Sequence, residues 1–462
     1  MYRFPPAILV LVGLLTPGRA ALAATAIRIM PPDRGVIAAG QLFDIRVEAT
    51  GDTGQRPGQL TVLVNGRDIT SRNDPSADRG APANTRNFLL RGHSVARPGP
   101  VRIQARTTDG AAAEVGLTIE AWQGRASGGR AKNIILLVGD GMGAAHRTAA
   151  RIVSRGVRDG KAVGRLAMDT LEVTGMVMTA SLNAIITDSS PAMAAYSTGQ
   201  KNNNNQAGVF PDNTPDAFDN PRIEYIGELL RRTRGQGFNV GIVTTADVTD
   251  STPGANAAHT SDRYAGAGIA AQFFDERHRN GIAVLLGGGS RHFLPKDAGG
   301  TRPDGRRLAE EFEKAGYARV SNGREVQALL ASPAPPRQVL GLFHPSHMVV
   351  AFDKVGAGRY SDELAEPRNA AYRDTPMLED LARLALRSLA AHSPAGFYLM
   401  IEGASIDKRA HAADAERTIW DTSSTGRCRW RSTSRERPTP TAIRRTTRLS
   451  SSPPITRPAP WA

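Results

Sequence analysis

An α/β domain on a mostly parallel sheet with helices on both faces, preceded by a small all-β sandwich, is what this sequence predicts. Three observations predict it. From Asn133 onward, continuous apolar runs (134–138, 239–244, 397–401) alternate with helix-length amphipathic stretches (223–232, 375–390). That βαβ rhythm belongs to a sheet covered on both faces. Before Trp122 the texture differs, with runs of five to seven residues that alternate apolar and polar positions between Gly, Pro, Asn and Asp turns. Third, polar and titratable residues gather just after several of the apolar runs. In open parallel sheets the chemistry collects at the carboxyl ends of strands.

Taken in order, residues 1–23 read as a secretory signal. Arg3 supplies the charge, Ala7 to Leu15 form the apolar region, and Ala21-Leu22-Ala23 is a small-x-small cleavage site. The apolar run is too short to span a bilayer. Residues 25–122 follow as an immunoglobulin-like sandwich, read from strands such as 43–49, 60–64 and 101–105. No titratable cluster marks this segment, so it reads as an accessory module. Residues 123–132, QGRASGGRAK, form a polar glycine-rich linker. The α/β domain occupies 133–422, and 423–462 reads as a disordered basic tail.

The 462-residue chain carries a formal charge of +14 and a single cysteine, Cys428, which excludes an intramolecular disulfide. A basic balance points first to nucleic acid or an anionic surface. Its distribution argues otherwise. Nine arginines against one acid, Glu436, place eight of the fourteen charges in the tail, where only Trp430 and Trp461 offer stacking surfaces. Neither a nucleic-acid partner nor a membrane span is expected.

Four constellations carry chemistry. Asp140 lies in Val138-Gly-Asp-Gly-Met-Gly-Ala144, a loose match to a dinucleotide-binding loop. A carboxylate there would repel a pyrophosphate and instead suits a cation; a plain helix N-cap is the simpler alternative. Ser189 follows Asp188 in ITDSSP, where capping is again the local default, and no histidine lies nearby to activate the hydroxyl. A bound metal could serve that purpose. Asp250 and Thr252 precede Arg263, whose planar fork matches a phosphate, or simply pairs with Asp262. Glu402, Asp407 and His411 follow one apolar run, the last two spaced to share a helix face, as half of a zinc site or as a solvated turn.

The strings AKNIILLVGDGMG, TDSSPAMAAYSTG, DSTPGANAAHTSDR and IEGASIDKRAH, in this order and spacing, resemble the signature blocks of alkaline phosphatases across roughly 131–422. The resemblance implies hydrolysis of phosphate monoesters through a phosphoserine on Ser189, with Arg263 gripping two phosphate oxygens. It implies Zn2+ and Mg2+ as cofactors. Asp140 would bridge one zinc and the magnesium, Thr252 and Glu402 would complete the magnesium ligands, and Asp250 would orient its waters. Asp407 and His411 would bind the second zinc. A periplasmic or secreted location, small phosphate-monoester substrates and a homodimer are further implications, although no interface is legible in the residues. The alternatives are an inactive secreted phosphatase-like binding protein, or a related phosphodiesterase or sulfatase.

The resemblance stops at the tail. The family pattern needs an Asp-His pair ending a further buried strand and a later histidine, yet His411 is the last histidine here. Codon degeneracy offers a reason. Read from the third base of each codon into the next, residues 449–457 (LSSSPPITR) can yield VVVTADHE, and the stretch from Ser423 permits EFDRAV followed by ALDFAR. A frameshift near the Thr422 codon is therefore expected, together with low or no activity for the chain as written.

Overall fold

The computed structural model describes residues 25–121, 131–354 and 373–425, with the strands 429–432 and 447–450. The signal segment, linker residues 123–130 and the rest of the tail lie outside the described residues.

The N-terminal strands form two facing sheets. β1 (Ala26–Met30), β3 (Phe43–Thr50) and β6 (Thr85–His93) make one, antiparallel throughout. The other runs β2 (Val36–Ala38), β8 (Ala112–Glu120), β7 (Gly99–Thr107), β4 (Leu60–Val64) and β5 (Arg67–Asp68), with only the β2–β8 pair parallel. Alternate residues Val101, Ile103 and Ala105 enter the shared core while Arg102 faces out, as the period-two pattern requires.

β3 departs from that pattern. Its polar positions Asp44, Arg46 and Glu48 are buried too, because residues 209–224 of the following domain lie across them. Arg46 Nε donates to Glu48 Oε1 at 2.7 Å and its guanidinium to Asn213 Oδ1 at 2.7 Å. Asp44 accepts from Arg91 and from the Arg222 backbone, each at 2.9 Å. Phe210 and Ile223 reach across to complete the sandwich core. Both are fully buried, so Phe210→Ala is expected to cost about 3–5 kcal/mol, read as a lowered denaturant midpoint.

A minor hairpin, β10 (Val157–Arg158) with β11 (Lys161–Ala162), follows β9 (Ile134–Gly139). The large sheet then comprises β12 (Phe238–Asp247), β13 (Ile282–Gly288), β14 (Ala318–Val320), β15 (Val339–Leu342) and β16 (Gly396–Gly403) with β9. Its order is β14-β15-β13-β12-β16-β9, every pair parallel. Val240, Ile242, Leu285, Tyr398 and Met400 pack into the core on one face, with Met193, Phe273 and Phe312. Their neighbours Val243, Val284, Leu286, Leu399 and Ile401 pack into the other, against Leu381, Leu384 and Leu389 of the helix Leu378–His392. Two apolar faces explain the continuous apolar runs.

β9 corrects one expectation. It is not a strand buried on both faces but the edge of the sheet, paired among the described residues with β16 alone. Ile134 to Val138 are only partly covered, and Leu137 is 41% exposed. Ile152 and Val153 in the helix Ala144–Arg155 are exposed as well, as are Met176, Met178, Ile185 and Ile186 in the chain leading to Ser189. In the tail, β17 (Arg429–Ser432) and β18 (Thr447–Ser450) pair antiparallel, where no regular structure was expected.

Candidate active site

Parallel register brings the carboxyl ends of β9, β16 and β12 level. Glu402 pairs in register with Val138 on one side and Thr244 on the other, so Asp140, Glu402 and Asp247 emerge on the same edge. Gly141, at φ +61°, turns the chain sharply after Asp140. A Cβ there would lie 2.5 Å from Asp407 Oδ1, so only glycine lets the two loops approach.

Ser189 is the first residue of the helix Ser189–Thr198, capped by Asp188, whose side chain accepts from Ser190 N at 2.8 Å. The Ser189 hydroxyl lies 3.1 and 3.2 Å from the two oxygens of Asp140. Arg263 donates to Asp188 at 2.9 Å and to Asp250 at 3.4 Å, and its buried Nε has no partner. Asp250 caps the short helix Ser251–Gly254 that carries Thr252. Glu402 is almost wholly buried and accepts from Thr244 Oγ1. Asp407 and His411 share a face of the helix Ser405–His411, 3.4 Å apart, with His411 81% exposed at the rim.

The structure thus gathers Asp140, Ser189, Asp250, Arg263, Glu402 and Asp407 into one cluster, with Thr252 beside Glu402. Sequence reasoning missed Lys408, whose ammonium donates to Asp250 Oδ2 at 2.6 Å. Its position next to Asp407 was a signal, but an ammonium is not a metal ligand and does not stand out beside carboxylates and an imidazole. Asp188 was likewise seen only as a cap; it also holds Arg263.

The charges are crowded. Burial, then the charge of Asp407, pushes Asp140 up to about 6. Burial, then Asp140, pushes Glu402 up to about 8. Asp250 goes the other way: burial opposes its charge, but Lys408 outweighs that and holds it at about 2. Both raised carboxyls bind protons more tightly folded than unfolded. Their contribution to the stability of the metal-free protein is therefore fully present below about pH 4 and is lost as pH rises through about 8. Thermal melts across that window test the sign, and Glu402→Gln should flatten the upper part.

Among the described residues, no three His, Cys, Asp or Glu side chains close into a ready metal cage. The donor chemistry still fits cations. Asp140 and Glu402 repel each other in a buried site, and the neighbouring Ser251 hydroxyl is buried without a partner. Hard oxygen donors of this kind suit Mg2+, and a carboxylate with an imidazole suits Zn2+.

Comparison with known proteins matches this region to the alkaline phosphatase family over residues 131–427. The chain is 38% identical over 312 residues to streptomycin-6-phosphate phosphatase of Streptomyces griseus, covering 62% of this chain and 65% of that protein. It is 31% identical over 320 residues to the tissue-nonspecific alkaline phosphatase of Gallus gallus, covering 63% and 58%. The crystal structure of Thermus thermophilus alkaline phosphatase superposes with a TM-score of 0.51 at 30% identity, over 64% of this chain and 55% of that one. The chain thus spans less than two thirds of the length of these relatives. Matched over more than half its residues, the chain belongs to the alkaline phosphatase family.

Proposed function

We propose that the chain is built to hydrolyse phosphate monoesters through a phosphoserine on Ser189. The observation that carries this reading is the Ser189 hydroxyl, set at a helix start 3.1 Å from Asp140 with the Arg263 guanidinium fixed close by. A helix N-terminus and an arginine fork together bind phosphate oxygens. Asp140 accepts the hydroxyl's hydrogen bond and aims an oxygen lone pair at the phosphorus. Lys408 and Asp188 hold Asp250 and Arg263 in place. Asp140, Thr252, Glu402 and Asp250 would hold or orient magnesium, Asp140 and Ser189 would face one zinc, and Asp407 with His411 the other. Bound cations supply the positive charge that lowers the hydroxyl pKa and offsets charge on the transferred group.

Phosphodiesterase and sulfatase readings find no comparable support, and the relatives named above are phosphatases. We infer export to the periplasm or beyond from the signal segment; no helix among the described residues is long and apolar enough to cross a membrane. The N-terminal sandwich is read as immunoglobulin-like.

The tail supports a further reading, that this chain is impaired. No residue beyond His411 is a histidine, and among the described residues β9 carries an open apolar edge beside Asp140. A frameshift near the Thr422 codon accounts for both. Adding Zn2+ and Mg2+ should raise the melting temperature measurably at pH 8, and Asp140→Asn should remove most of that rise. Metal-independent melting would count against the site.

A further inference from the structure

We propose that Gln41, in the N-terminal sandwich, is a positioning residue for the helix that presents Ser189. Gln41 is 4% exposed in the turn between β2 and β3. Its Oε1 accepts from Ala38 N at 3.1 Å, which fixes the amide plane. Its Nε2 then donates to Thr198 O and to Glu224 O, each at 2.9 Å.

Thr198 is the last residue of the helix Ser189–Thr198, where the final carbonyls have no partner within the helix. A side chain from another domain satisfies one of them. The seam is reinforced around it. Gln200, just beyond the helix, donates from Nε2 to Val36 O in β2. Leu42 N donates to Glu224 Oε2 and Glu224 N to Leu42 O, both at 2.9 Å. Arg232 then closes on Glu224 at 2.7 Å and on Gly40 O at 2.8 Å.

An α-helix of ten residues is a stiff rod of about 15 Å. Fixing its carboxyl end therefore fixes the axial position of its first residue. On the other flank, Ser197 Oγ donates to Ala255 O at 2.7 Å, tying the same end to the loop that carries Asp250 and Thr252. The sandwich acts on the site from the far end of this rod, without touching the reacting atoms. The positioning role rests on the reading of Ser189 as nucleophile; the clamp itself does not.

Hydrogen exchange on the full chain tests the clamp. Gln41→Met keeps the volume and removes both donors. Amides of residues 192–198 are expected to exchange about tenfold faster, the factor for losing one ordinary buried hydrogen bond, while Ile45, Val47 and Ile103 in the sandwich core keep their rates. Unchanged helix amides would overturn the proposal, as would sandwich amides accelerating in parallel, which marks general destabilisation. Should Gln41→Met fail to fold, Gln200→Leu cuts the reciprocal bond from the helix side and gives the same readout. Orthovanadate separates the two claims. If the frame-restored chain, loaded with Zn2+ and Mg2+, binds no orthovanadate, the phosphatase reading fails while exchange still decides the clamp. If that chain and its Gln41→Met variant bind it equally and exchange is unchanged, the clamp alone falls.

Discussion

Restoring one base near the codon of Thr422 is expected to raise hydrolysis of p-nitrophenyl phosphate on the order of a thousandfold over the chain as written. Two independent observations meet in this result. In the shifted frame, the tail can encode an apolar run ending in an Asp-His pair. In the structure, β9 leaves a parallel edge open among the described residues, with Leu137 exposed upon it. Strands of this sheet run in one direction, so a strand added beside β9 would end next to Asp140. Its final residues would then face Ser189 from the flank opposite Glu402. The added strand would also cover backbone groups and apolar side chains left to water, so a higher melting temperature should accompany the gain. Equal, low turnover by both chains would show that the tail is not what limits the site.

Ser189→Ala in the frame-restored chain is expected to lower turnover by about a thousandfold or more. The helix start, Arg263 and the carboxylates all remain, so substrate binding should change far less than kcat. Arg263→Ala should behave differently. Its guanidinium is held by Asp188 and Asp250 with one buried nitrogen unpartnered, so its loss removes charge-assisted bonds to the phosphate. About a hundredfold in kcat/KM is expected, with much of it in KM. Steady-state kinetics on both variants separate these roles.

Much of this was legible in the residues. The strands β12, β13 and β16 could be read because each is wedged between two apolar cores, which forces unbroken apolar runs. The clustering of the candidate site was legible because Asp140, Asp250 and Asp407 follow closely on strand ends and Glu402 lies at the end of one, where parallel register must bring them level. Other features were hidden for physical reasons. β9 has the composition of an interior strand, and nothing local tells an interior strand from an edge one. Asp44, Arg46 and Glu48 look like a solvated face, since their burial depends on residues more than a hundred and fifty positions away. Lys408 went unseen because its role is set by Asp250, on another strand's loop.

The most direct test of the site is chemical. Frame-restored protein with Zn2+ and Mg2+ would be quenched in acid during turnover of p-nitrophenyl phosphate, digested and weighed by mass spectrometry. One phosphoryl group is expected on the peptide spanning 187–199, localised to Ser189 and absent from Ser189→Ala. Steady turnover with an unmodified Ser189, or a phosphoryl group on another residue, would contradict it.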